Sequence, residues 1–548
     1  MKKAEFICTT LLIEKSPQAL PLGAACIVSA VNHSELTKDI CHAKLIDFNM
    51  EESANIAESI YNSFSPETEI KIAGFSVFVW NRVILEKVAA ELKQKNVICI
   101  AGGPEITAHP QAFTSSFDYT VTGEGEQKVP KIIRSIVIPS EHSVTTDEHP
   151  VISSEHPVIP SKAVGSISIN SNLPPENYTS PYLDGTLDPA KYGGALWELA
   201  RGCPFKCSYC YESKGEKTVR QFPMERIEKE LDLFAAKKVP QVFVLDPTYN
   251  ANKQRALDLL KLIAKKTPDT FYYFEARAEF IDRQLAHAFT KIPCALQIGL
   301  QTSDENVARL VHRPFNKKQF SKNISILNDE GVTFGLDVIY GLPGDSLRGY
   351  KDSVDFAISL YPNNLELFCL SVLPGTDLFD RADELKLTYQ SEPPYHIIHT
   401  DKFSEEDIKR AGNIAKACSY FYNDGRAVPW FNTICHAAHL KPSQFFEQFY
   451  QFAQADCNTA STKCDHKQIE QKQIEFVKHL FTQKNLNRLI TAACDIISFN
   501  GAYSRKTDTG KSEKITLHYP AEYIDSEYAL DLDFFVKNVR QGKFTYTI

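Results

Sequence analysis

Two tracts of alternating strand and helix patterns, separated by a proline- and serine-rich break, predict an α/β protein built on two mainly parallel sheets. The first tract, residues 1–136, predicts a Rossmann- or flavodoxin-like doubly wound sheet. The second, within residues 191–400, has the six-strand rhythm of a partial (β/α)6 barrel of the TIM type, and residues 401–548 form a mainly helical C-terminal region.

In the first tract the strands are expected at Phe6–Thr10, Ala43–Phe48, Ile70–Ser76, Val97–Ala101 and Tyr119–Thr122. Between them, Asn81–Lys95 carries Ile84, Leu85, Val88 and Leu92 on one helical face. Ligands of such sheets sit outside the carboxyl ends of the strands, which here hold Gly74-Phe75-Ser76, the pair Gly102-Gly103, and Gly123-Glu124-Gly125-Glu126. Glycine at those ends lets a bulky ligand approach the backbone. A dinucleotide fingerprint is not met, since Lys128 stands where the third glycine after Gly123-x-Gly125 belongs.

Residues 137–190 read as a linker. The near repeat at Glu141-His142, Glu148-His149 and Glu155-His156 cannot make a periodic apolar face, and its histidines lack an ordered scaffold for a metal. Barrel strands are expected at Leu196–Ala200, Gln241–Leu245, Phe271–Phe274, Leu296–Leu300, Thr333–Ile339 and Leu365–Leu370, with helices at Met224–Ala236, Asn252–Lys265 and Lys318–Glu330. Farther on, Ser404 with Asp407 makes a helix N-cap, and the aromatics of Phe445–Tyr450 read as core. Cys435, His439, Cys457 and Cys464 match no defined ligand spacing, and Gly510-Lys511-Ser512 is no phosphate loop because Arg505 replaces its first glycine.

The chemistry concentrates after the first barrel strand, in Cys203-Pro204-Phe205-Lys206-Cys207-Ser208-Tyr209-Cys210. Three thiolates spaced in this way can hold three irons of a 4Fe-4S cluster and leave the fourth open to a ligand, whereas an electron-transfer cluster would want a fourth cysteine. A zinc knuckle is the bland alternative, but it calls for four protein ligands.

This spacing, with the aromatic Tyr209 before the last cysteine and the apolar run Ala195–Ala200 before the first, resembles the signature of the radical SAM superfamily. The resemblance implies that the open iron binds S-adenosyl-L-methionine and that reduction yields a 5'-deoxyadenosyl radical. It further implies cosubstrate contacts from Tyr209, Asp246 or Thr248, Glu275, Arg277, Gln301 and Asp337, although this chain reads Asp246-Pro247-Thr248 where many relatives have Gly-Gly-Glu. The N-terminal tract, with Pro21-Leu22-Gly23 and its glycine-bearing strand ends, resembles the cobalamin-binding domain fused to many of these enzymes. That implies a cobalamin pocket at Ser76, Gly102, Gly103, Gly123, Gly125 and Glu126. The Asp-x-His-x-x-Gly motif is missing, with Asp39-x-x-His42 its nearest echo, so cobalt is expected to lack a histidine ligand.

The function this implies is methyl transfer to an unactivated carbon of a small molecule or peptide, with a flavodoxin or ferredoxin as electron donor. A non-methylating radical cyclase, a methylthiotransferase using Cys8, Cys41 and Cys99 for a second cluster, and a flavodoxin-like sheet with an empty pocket stay open. Composition adds exclusions. A net charge of -8 without a basic face disfavours nucleic acid, no apolar run reaches membrane-spanning length, and the expected location is cytoplasmic.

Overall fold

The computed structural model describes residues 3–50, 54–138, 165–166, 174–213, 219–458 and 465–548. Parallel strands β1 (Ala4–Leu12), β2 (Cys41–Asn49), β3 (Ile70–Ser76), β4 (Ile98–Gly102), β5 (Tyr119–Val121) and β6 (Gly165–Ser166) form one sheet in the order β2-β1-β3-β4-β5-β6. The order reverses between β1 and β3, so the switch point where doubly wound folds hold ligands lies there. Every residue of β1 is buried, as expected of a central strand covered on both faces. Helices Leu22–His33 and Lys128–Val137 cover one face, and Arg82–Gln94 covers the other through Leu85, Val88, Ala89 and Leu92. The repeat holding His142, His149 and His156 lies outside the described residues.

The second sheet runs through β7 (Ala195–Trp197), then β10 (Gln241–Val244), β11 (Phe271–Ala276), β12 (Cys294–Gln301), β13 (Thr333–Tyr340) and β14 (Asn364–Cys369), all parallel and in chain order. The intervening β8 (Ala200–Arg201) and β9 (Arg220–Gln221) form a separate antiparallel ribbon. The first barrel strand is thus shorter than the expected Leu196–Ala200, because the chain leaves the barrel after Trp197 and Asp246 Oδ1 catches the Leu199 N–H at 3.2 Å.

Burial alternates with period two along the barrel strands. In β12, Cys294, Leu296, Ile298 and Leu300 pack into the core, which leaves Gln297, Gly299 and Gln301 to the lumen. The same parity sends Glu275, Asp337 and Glu366 inward.

The C-terminal region is mainly helical and closes with an antiparallel strand pair, Lys514–Leu517 against Phe544–Thr547, whose strands are separated in the chain by short helices and which periodicity alone had not marked. Its first helix, Glu405–Cys418, is capped by Ser404, whose Oγ accepts from the Asp407 N–H at 3.2 Å. Phe421, Phe431, Phe445, Phe449 and Phe476 interlock edge to face in its core. The region docks on the outer side of β14, where Tyr422 Oη donates to the Pro362 carbonyl at 2.6 Å. Cys435 and Cys457 are buried in the same apolar core; Cys464 lies outside the described residues.

Candidate active site at the meeting of two sheets

Cys203, Cys207 and Cys210 occupy one loop beyond the carboxyl end of the first barrel strand, which is where barrels gather their chemistry. Gly202 turns the chain into this loop with a φ of 87°, in the left-handed region. Burial raises the Cys203 thiol and pushes the Cys210 thiol up to about 11, so iron has to displace protons on binding. Among the described residues no three His, Cys, Asp or Glu side chains converge as ligands of a single metal ion would. A cubane instead spreads its thiolates over separate irons.

Arg277 stacks on Phe205 of this loop, its Cζ 3.7 Å from the ring centroid, and pairs with Glu279 at 2.7 Å. Arg313, which sequence patterning did not single out, donates to the Cys207 sulfur at 3.7 Å and to the Gly299 carbonyl at 2.7 Å. It follows a helix in an irregular segment where nothing periodic marks it. Beside it, Gln301 adopts a left-handed φ of 67° at a register shift in β12, and its buried Oε1 has no hydrogen-bond partner. The Tyr209 hydroxyl is buried beside the Cys207 thiol, which is its hydrogen-bond partner.

Of the expected carboxylates, Asp337 accepts from Gln297, and burial with the adjacent Glu366 pushes it up to about 6. Glu275 reaches the open lumen, yet crowding by the barrel wall and the Asp337 and Glu212 carboxylates push it up to about 7. Asp246 does other work. Its carboxylate takes backbone N–H bonds from Leu199 and Ala200, and it is buried, so it fixes the approach to the cysteine loop. Thr248 bonds the neighbouring Pro247 carbonyl at 2.7 Å.

The carboxyl edge of the N-terminal sheet faces this loop. Arg201, two residues before Cys203, pairs with Glu126 at 2.7 Å and Glu124 at 3.5 Å, and Glu124 also meets Arg220 and Tyr178. Helix Pro104–Ala108 packs against the barrel at Gly375, where any side chain would meet Ala108 Cβ at 3.0 Å. Thr107 bonds Tyr211, the residue after Cys210. Glu126, expected at a cofactor, is therefore engaged by the barrel.

The glycines of that edge divide in two. A Cβ on Gly23, Gly102 or Gly123 would make only ordinary contacts, at 3.5 Å or more, although the left-handed φ of 68° at Gly123 favours glycine there. One on Gly103 would strike the Val77 carbonyl oxygen at 2.6 Å, and one on Gly125 the Ile27 side chain at 2.7 Å, so the fold itself demands those two. Ser76 ends β3 at the switch point, its carbonyl accepting from Thr10 and Asn81. The sequence reading also missed Phe78 and Trp80, stacked at 4.5 Å over this point. Trp80 is 44% exposed while its Nε1 donates to the Leu11 carbonyl. His42 pairs with Glu5 at the amino end of the sheet, far from that edge.

Comparison with known proteins now has a geometry to meet. Residues 197–357, which hold all three cysteines, match the model of the Radical SAM superfamily. This chain carries a radical SAM domain. Residues 383–513 of the radical SAM chain match a protein family of unknown function, DUF4080. The cobalamin-dependent radical SAM methyltransferase TokK of Streptomyces tokunonensis is 24% identical over 57% of the chain, and that match spans 48% of TokK, about half its length. Among solved structures, the cobalamin-dependent S-adenosylmethionine radical enzyme OxsB with aqua-cobalamin superposes with a TM-score of 0.58 at 14% identity, over 98% of this chain and 83% of that one. TsrM from Kitasatospora setae, a radical S-adenosylmethionine methyltransferase with cobalamin and a [4Fe-4S] cluster, gives 0.54 at 13% over 75% of this chain and 82% of its own. Residues 197–357 thus carry the radical SAM match, and that family implies a 4Fe-4S cluster and S-adenosylmethionine; beyond them the chain is similar to cobalamin-dependent radical SAM methyltransferases. Among the described residues no helix is long and apolar enough to cross a membrane.

The second-cluster alternative meets a geometric obstacle. Cys8 and Cys41 are buried in the core on one face of the N-terminal sheet and Cys99 in the core on the other. Three thiols divided by a sheet cannot share one cluster without unfolding it.

Proposed function

We propose that this protein is a cobalamin-dependent radical SAM methyltransferase that methylates an unactivated carbon. The observation that supports it most is the glycine-bearing carboxyl edge of the N-terminal sheet lying opposite the cysteine loop, an arrangement that would let two cofactor sites share one space. When bound, the cluster and S-adenosylmethionine supply hydrogen abstraction, and cobalamin supplies the methyl group.

The chain's own residues do the holding. Cys203, Cys207 and Cys210 are the cluster ligands, and Arg313 offsets the negative charge that iron-bound thiolates bring. Arg277 fixes the loop through Phe205, a contact worth about 1 kcal/mol or more when desolvated. Glu275, Asp337 and the Gln301 amide offer acceptors to the cationic cosubstrate. Above the opposite edge, Gly102 and Gly123 leave room for a corrin, and Phe78 and Trp80 offer it a flat apolar face.

Incubation under strong reductant with S-adenosylmethionine carrying a deuterated methyl group, cobalamin and a pool of candidate substrates tests this. A product heavier by one labelled methyl, formed alongside 5'-deoxyadenosine, is expected. Formation of 5'-deoxyadenosine with a product that gains no methyl would replace this reading with the cyclase one.

A further inference from the structure

The cluster proposed above consumes an electron that must enter from outside the protein, and among the described residues the cysteine loop has an outward edge at Pro204 and Lys206. On one side the N-terminal sheet covers the loop through Arg201 with Glu126, Tyr211 with Thr107, and Ala108 against Gly375. Away from those contacts, Pro204 and Lys206 are exposed, and they lie between the ligands Cys203 and Cys207.

A second segment runs beside this edge. The Ser208 N–H donates to the Val311 carbonyl at 3.0 Å, and Arg313 reaches back to Cys207. Just beyond, Pro314, Phe315 and Phe320 line a mostly apolar cavity of about 320 Å³, whose wall also holds Glu279, paired with Arg277 at 2.7 Å. Phe280 adjoins it, 38% exposed, with its ring 6.1 Å from that of Phe205. The patch is apolar at its centre.

Its rim holds more exposed cations than carboxylates, the latter being Asp304 and Glu305, whose Oε1 accepts from the Lys317 N–H at 3.0 Å. Residues 309–318 contain Arg309, Arg313, Lys317 and Lys318 and no carboxylate, in a chain whose net charge is -8. Arg313 turns inward, whereas Arg309, Lys317 and Lys318 are exposed, as is Lys206. Local charge opposite in sign to that of the whole chain is what selects and steers an acidic partner.

We propose that this face, formed by Pro204–Lys206, Phe280 and residues 309–318, is the docking surface for a small acidic one-electron carrier protein. The inference rests on the cluster assignment. One electron leaves the reduced carrier and enters the cluster held by Cys203, Cys207 and Cys210; no bond forms or breaks, and a flavin hydroquinone anion becomes the neutral semiquinone without moving a proton. The apolar centre supplies the contact, and the exposed loop brings the carrier within a residue of two ligand thiolates.

Charge reversal tests it. The double variant Lys317→Glu/Lys318→Glu places carboxylates in the first turn of helix Lys317–Glu330, where the helix dipole favours them; because it also removes the Lys317 ammonium from the Phe356 ring 4.3 Å away, its melting temperature is compared with the wild type's, and Lys318→Glu alone replaces it if that falls. Lys206→Glu is made separately. Anaerobic stopped-flow bleaching of the reconstituted protein is followed with fully reduced flavodoxin and, in parallel, with dithionite, and oxidised flavodoxin is titrated onto each protein. At low ionic strength the flavodoxin rate and binding should fall about tenfold or more in each variant, the dithionite rate should stay unchanged, and added salt should bring the wild type down toward the variants. Wild-type flavodoxin rates and binding in both variants would overturn the proposal, as would equal slowing with both reductants. If dithionite bleaches no cluster in the wild type, it is the cluster assignment that fails, and the proposal with it.

Discussion

Asp246 is the residue whose role differs most from its expected one. Its position after the second barrel strand suggested a hand on the cosubstrate, yet both backbone N–H groups that enter the cysteine loop, those of Leu199 and Ala200, end on its carboxylate. Burial pushes that carboxyl up to about 7, against the opposing pull of Arg255 and the two N–H bonds. A folded-state value above the unfolded one means that the native chain holds a proton the unfolded chain has lost. Stability from this group is therefore highest at low pH and falls as pH rises from about 4 through about 7. Asp246→Asn keeps an acceptor for Leu199 but carries no charge. Melting temperatures measured across that window should fall for the wild type and stay flatter for the variant, with the two meeting below about pH 4. Parallel curves would show that the carboxyl is ionised in the native state.

Among the elements, the strand ends of the N-terminal sheet decide how cobalamin binding can be probed. Gly102→Val adds a side chain whose Cβ meets Val121 at ordinary contact distances of 3.5 and 3.7 Å, whereas Gly103→Val drives one into the backbone of Val77 from a φ of 108°. The first should lose cobalamin, read from the absorption of the purified protein, with an unchanged melting temperature. The second should lose stability as well. Cobalamin retained by Gly102→Val at the wild-type level would place the corrin elsewhere. The elements themselves were legible in the sequence because they are periodic: Ile70–Ser76 and Met224–Ala236 fall where alternation and helical spacing put them, and Ser404 caps where its neighbours require. The cysteine loop was legible because ligand spacing is local. Arg313 at Cys207, Glu126 at Arg201 and Trp80 over Leu11 were not, since each joins segments whose meeting only the fold creates. The split of the first barrel strand was hidden for the same reason, being enforced by Asp246 from the next strand.

At the scale of the whole molecule, two sheets present their carboxyl ends to each other, and the residues between them are shared. Arg201 ties Glu124 and Glu126 beside the N-terminal sheet to the threshold of the cysteine loop, so the two proposed cofactor sites would be mechanically joined. The C-terminal helices lean on the outside of β14 and share a continuous core with the barrel, which makes them a buttress to the strand bearing Glu366 and Phe368. All of this depends on one cluster on one loop. Iron analysis and electron paramagnetic resonance of the anaerobically reconstituted, reduced protein test that most directly. About four irons per chain are predicted, with a signal that changes on adding S-adenosylmethionine, and both lost when Cys203, Cys207 and Cys210 are changed to alanine. About eight irons per chain, four of them lost on changing Cys8 and Cys41, or iron that survives the loss of the three loop cysteines, would contradict it.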